Sequence, residues 1–124
     1  VAVVRAYSVA GSQAKRRLLR NALMSSFHPR FYQDGMYKHL MPFVMQLEVP
    51  ELAFLRSSIA QHMESRSRDV RYKSREYFLA RRLATLGLMV FERAERPPGH
   101  IGAIPCGVAV ELVEFVADGT LQDR

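Results

Sequence analysis

A chain of 124 residues is one ordinary domain, long enough to bury a core and too short to hold two. Its 48% apolar content argues against wholesale disorder, and no apolar run reaches the roughly 18–20 residues that cross a bilayer. The net charge of +6 points to a polyanionic partner, while a single cysteine, Cys106, excludes an internal disulfide.

There is no signal-peptide pattern, and Val1 in place of Met suggests a processed or trimmed piece. Residues 1–11 begin apolar, end at Gly11 and read as an N-terminal arm. Ser12 is placed to cap a first helix running to about Phe27. Its apolar stripe is Leu18, Leu19, Ala22, Leu23 and Phe27; Arg16, Arg17, Arg20 and Asn21 fall opposite, with Lys15 near the boundary. One face suits a core. The other suits phosphate, because guanidinium forks pair well with its oxygens.

His28-Pro29 ends this helix, since the residue before proline avoids helical backbone. Arg30 to Gln33 reads as a short strand, with Asp34-Gly35 as a turn. Met36, Leu40, Phe43, Val44 and Leu47 have helical spacing, and Pro42 among them predicts a kink or break. Pro50 opens a third helix, with Glu51 in its first turn, that buries Leu52, Leu55, Ile59 and Met63. Residues 64–73 form a polar basic connector. Ser74 caps a fourth helix carrying Leu79, Leu83 and Leu86, and Gly87 suits its stop.

Leu88 to Arg93 reads as a strand, whereas residues 96–105 hold too much Pro and Gly for a regular element. Val108 to Val116 is the clearest strand, with Val108, Val110 and Leu112 on one face and Ala109, Glu111 and Val113 on the other. The expected fold is α+β in the order α-β-α-α-α-β-β, helices packed on a small mixed sheet. It forms a single domain over 12–117, followed by a tail, 118–124. The 94–106 loop is long for a hairpin, a length that goes with function or disorder.

Catalysis finds little support. His28, His39, His62 and His100 lack partners at metal or triad spacing, and His39 and His62 read as surface or core-edge residues. Cys106 reads as a small buried hydrophobe, and Gly99–Gly102 lacks the strand-loop-helix context of a phosphate loop. Glu111 and Glu114 fall on opposite faces of the predicted strand, so they form no acid/base pair. The methionines mostly recur at helical spacing beside Leu and Phe, as core residues do. No enzyme, cofactor, metal or small-molecule substrate is implied.

Charge carries the stronger signal. Residues 1–90 hold 15 Lys/Arg against 6 Asp/Glu, and residues 91–124 hold 3 against 6. Arginine makes up 15 of the 18 cations, which favours phosphate recognition or buried ion pairs, although an Arg-rich genome gives the same bias. A second cluster, Arg66, Arg68, Arg71, Lys73, Arg75, Arg81 and Arg82, stands against only Asp69 and Glu76. Tyr72 and Tyr77 interleave with it, either as stacking rings for bases or as core beneath a solvated face. Nothing matches a base-reading recognition helix, so structured RNA is favoured over a DNA operator.

Several ordered motifs resemble the bacterial-type large-subunit ribosomal protein seventeen family. Ser12, Lys15, Leu18, Leu19, Arg20 and Asn21 fall in register with its S-S-H-R-x-A-L-L-R-N-L helix, and His28-Pro29-Arg30-Phe31 with its H-x-R-I strand start. Leu40-Met41-Pro42-Phe43-Val44-Met45-Gln46-Leu47 is similar to L-R-P-Y-A-x-x-L. Arg96, Gly99-His100, Pro105 and Val110-Glu111-Leu112-Val113 are similar to its closing R-x-G-D-x-A-P-M-x-x-I-E-L-V. The matches cover roughly residues 12–47 and 93–113, with residues 48–92 agreeing in pattern alone. Ala14 replaces the family's His, Lys15 its Arg and His100 its Asp, and the basic tail is reduced to Arg5. Such drift resembles an organellar, especially mitochondrial, member; a bacterial cytoplasmic or plastid one is the alternative.

The resemblance implies the family order α-β-α-α-α-β-β and a structural, non-catalytic constituent of the large ribosomal subunit, binding rRNA near the exit side of the peptide tunnel. Lys15, Arg16, Arg17, Arg20 and Asn21 would then bind the rRNA backbone, with Arg30 a carried-over contact. Arg66, Arg68, Arg71, Lys73 and Arg75 would form a second RNA surface. The acidic C-terminal third would face neighbouring large-subunit proteins, and no membrane insertion is expected. The rival reading is an interaction-only accessory subunit of a mitochondrial protein or ribonucleoprotein assembly. A weaker one is a basic module on anionic membranes.

Overall fold

The computed structural model describes residues 13–92 and 96–117, so the expected arm, Ser12 cap and tail lie outside the described residues. In chain order the elements are α1 (Gln13–Ser25), α2 (Pro29–Tyr32), α3 (Met36–Gln46), α4 (Val49–Met63), β1 (Arg68–Arg71), α5 (Arg75–Thr85), β2 (Met89–Glu92), β3 (His100–Pro105) and α6 (Ala109–Val116). The fold is α+β. Its order is α-α-α-α-β-α-β-β-α, not α-β-α-α-α-β-β, and the sheet is antiparallel throughout rather than mixed. The chain gathers into two compact units, Val1–Val49 with Glu111–Arg124, and Pro50–Val110.

The first unit is helical. Leu19 and Ala22 of α1 are buried as the stripe predicts, but Phe27 lies beyond the helix and is 71% exposed. His28 and Pro29 begin a new helix instead of a strand. The His28 imidazole accepts a hydrogen bond from the Arg30 amide at 3.2 Å, and Pro29 fits a first turn, where its missing N–H needs no partner. Helix α3 runs through Pro42 as one element. Pro42 is exposed, so the Lys38 carbonyl that it deprives of a partner can turn to water. The apolar sequence over Ala109–Val116 is a helix, not the expected strand. Its buried residues, Ala109, Leu112, Phe115 and Val116, follow a three-to-four spacing, and Phe31 meets Phe115 edge-on at 5.0 Å.

In the second unit, α4 buries Leu52, Phe54, Leu55 and Ser58, whereas Ile59 is half-buried and Met63 is 79% exposed. The supposed connector 64–73 contains β1, and the Pro/Gly-rich segment contains β3, the central strand of the order β1-β3-β2. Neither reads as a strand because their stabilising partners are remote. Of β1 only Val70 is buried and apolar, and the ladder to residues 100–103 holds it.

In β3, Gly102 faces Asp69 on one side and Glu92 on the other. The Arg96 guanidinium lies across this glycine, pairing with Asp69 at 3.2 Å and Glu92 at 3.7 Å. A Cβ there would sit 2.8 Å from it. His100 Nδ1 also meets Asp69, at 3.0 Å. The other sheet face carries Val70, Met89, Phe91 and Ala103, and α5 covers it, since Tyr77 stacks on Phe91 at 5.8 Å. Helix α5 follows the sequence reading. Ser74 Oγ accepts from the Tyr77 amide, Leu83 is fully buried, Leu79 and Leu86 are half-buried, and Gly87 stops the helix at φ +79°.

Candidate nucleic-acid interface

Helix α1 separates the expected contacts into two groups. Arg16, Arg17 and Arg20 are exposed, and with Gln13 and Ala14 they line a concavity of about 520 Å³. Lys15 goes the other way. It is 9% exposed, and its Nζ donates to the Val44 carbonyl at 2.6 Å and to that of Leu47. Those carbonyls end α3, where a helix leaves acceptors unpaired and its dipole favours a cation. Lys15 is therefore a helix cap and not a phosphate contact. Asn21 is half-buried and donates through Nδ2 to the Val116 carbonyl at 2.9 Å, at the end of α6. It too serves the fold instead of the surface. Arg30 is ion-paired with Glu114, and its guanidinium carbon lies 5.2 Å from the Phe31 ring centroid. Glu111 and Glu114 now sit one helical turn apart on α6 rather than on opposite strand faces.

The second cluster divides similarly. The Arg68 side chain is 17% exposed, held over the Phe54 ring at 4.7 Å, donating to Ser57 Oγ at 2.8 Å and pairing with Glu76 at 3.2 Å. That set of contacts positions β1 against α4 and α5 and removes Arg68 from the candidate contacts. Arg66 is exposed but paired with neighbouring Glu64, a pair that is weak in water. Arg71, Lys73 and Arg75 are exposed, and among the described residues none of the three forms an ion pair. They come at the end of β1, in the turn and at the start of α5, with Lys73 at φ +64°.

The aromatic residues are arranged differently from the sequence expectation. Tyr77 is the inner ring, half-buried and in contact with Tyr72 at 5.2 Å, Phe78 at 5.5 Å and Phe91 at 5.8 Å. Tyr72 and Phe78 are the outer rings, 47% and 55% exposed. Sequence reasoning missed Phe78. Its signal was there: Phe78 has Arg75 three residues before it and Arg81 and Arg82 three and four after, so it shares their helix face.

His39 and His62 are exposed, and Cys106 is half-buried with its Sγ 3.5 Å from the Gly87 carbonyl. Among the described residues no His, Cys, Asp or Glu side chains gather in threes fit for a metal, and no helix is long and apolar enough to cross a membrane. Comparison with family models, curated proteins and solved structures finds no match for this chain.

Proposed function

We propose that this chain is a structural RNA-binding protein, a constituent of the large subunit of a mitochondrial ribosome. In this reading it binds rRNA through exposed arginines and neighbouring ribosomal proteins through its acidic C-terminal third. One observation carries the reading: Arg16, Arg17 and Arg20 are exposed together on α1, while Leu19 and Ala22 of the same helix enter the core and Lys15 and Asn21 bond the ends of α3 and α6. Such a face offers several guanidinium forks at one helical spacing, and it suits a backbone of repeating phosphates better than a single acidic side chain. Arg71, Lys73 and Arg75 add a second set.

The ordered motifs lend the ribosomal assignment less than charge lends RNA binding. Pro29-Arg30-Phe31, capped by His28, and Val110-Glu111-Leu112-Val113 lie in helices, where the family pattern has strands. Co-sedimentation of the native protein with large ribosomal subunits is the expected result, as is its release by ribonuclease. Retention after complete RNA digestion would favour the protein-only accessory subunit. For isolated large-subunit rRNA, binding should weaken steeply with salt. Replacing Arg16, Arg17 and Arg20 together by Gln should lower the slope of log K against log salt by about 2–3.

A further inference from the structure

The cations explain affinity for any polyanion, but they do not explain why two aromatic rings stand half in water among them. Helix α5 has an apolar side, with Ala80 and Leu83 fully buried, and an outer side on which Arg75, Arg81 and Arg82 are exposed. Phe78 belongs to the outer side by spacing and by its 55% exposure. It is not a core residue displaced by crowding, because Tyr77, one position earlier, already fills the space between Tyr72 and Phe91. Tyr77 instead supports both outer rings from beneath. The turn that presents Tyr72 is fixed on each side: the Tyr72 amide donates to the Gly99 carbonyl at 2.8 Å, and Ser74 caps α5. Two anchored rings flanked by Arg71, Lys73, Arg75 and Arg81 therefore offer a π surface inside a positive field.

We propose that Tyr72 and Phe78 form a stacking platform for unpaired bases of single-stranded RNA, with Arg71, Lys73, Arg75 and Arg81 holding the adjoining phosphates. Bases in a duplex keep their faces covered by their neighbours, so this platform selects loops, bulges or strand ends. Aromatic rings set among cations match the alternating bases and phosphates of a single strand, whereas an acidic protein surface would use the cations and leave the ring faces without a π partner. The proposal rests on the RNA-binding reading above and adds to it the strandedness of what is bound.

The test uses the full chain and two probes, a short fluorescein-labelled oligouridylate and an RNA duplex of the same length, with binding followed by fluorescence anisotropy over a salt series. Tyr72→Leu and Phe78→Leu each keep an apolar group but remove the ring face, and each should weaken oligouridylate binding about fivefold or more. Duplex affinity and salt slope should stay as in the parent protein. Tyr72→Phe and Phe78→Tyr should bind oligouridylate as the parent does, which sets aside a role for the hydroxyl, while the retained duplex affinity of the Leu variants sets aside a loss of packing. Unchanged oligouridylate binding in both Leu variants overturns the platform. Equal losses on both probes overturn it as well. If the Leu variants change nothing while the Arg16/Arg17/Arg20→Gln variant loses duplex, the platform falls and the RNA-binding reading stands. If neither probe binds the parent protein, both fall.

Discussion

Lys15 shows how far a single side chain can depart from the face its angle assigns. Helical spacing places it at the edge between the apolar stripe and the arginines, and four methylenes let an ammonium at that edge reach either way. It reaches inward because the end of α3 offers two carbonyls within its reach, where the helix dipole favours a cation. Replacement by Met keeps the stem but leaves those acceptors unpaired. Lys15→Met should therefore cost about 2 kcal/mol in a urea unfolding experiment. The salt slope of RNA binding should stay unchanged in that variant, in contrast to the Arg16/Arg17/Arg20→Gln variant.

At the scale of elements, legibility follows how local the cause is. Helices α1, α3 and α5 were readable because their signals lie within a dozen residues: a spaced apolar stripe, the Ser74 cap and the Gly87 stop. The two hidden strands have causes far away in sequence. Arg68 looks like solvent-facing charge until Phe54, Ser57 and Glu76 surround it. Gly102 looks like a breaker until Arg96 is seen to need the space. Helix α6 failed for another reason. Valines at 108, 110, 113 and 116 among other apolar residues satisfy a period of two and a period of 3.6 alike, so β propensity decided wrongly.

The sheet is also held by close turns. Gly107 follows β3 at φ +59°, and a Cβ there would come within 2.7 Å of the Gly87 carbonyl oxygen. Backbone on both sides leaves no flexible atom to yield. Gly107→Ala should lower stability by about 2 kcal/mol or more, readable as a shifted urea midpoint at constant m-value.

Across the whole molecule, the α+β class was legible from helical and strand periods together, while the candidate RNA face was legible only in part. Charge counts located the clusters but did not show which cations are exposed (Arg16, Arg17, Arg20, Arg71, Lys73, Arg75), or that Lys15, Arg30 and Arg68 cap a helix or pair within the fold. Arginine serves both purposes for one reason, since its planar fork binds a carboxylate as readily as a phosphate. Only the three-dimensional placement of acids, aromatic rings and carbonyl ends divides the two populations.

The first unit is built from two stretches of chain that lie far apart, Val1–Val49 and Glu111–Arg124, with the whole of the second unit between them. During synthesis this imposes a schedule. Residues 50–110 are contiguous and can complete their sheet as they leave the ribosome, but α1 to α3 emerge first and must wait. Phe31 lacks Phe115, Asn21 lacks Val116 and Arg30 lacks Glu114 until α6 arrives. A nascent chain arrested just before α6 should therefore resist protease over β1 to β3 while its earliest helices are cut, with protection there appearing only once α6 has emerged. Of the two units, the one that starts to emerge first would be the last to be finished.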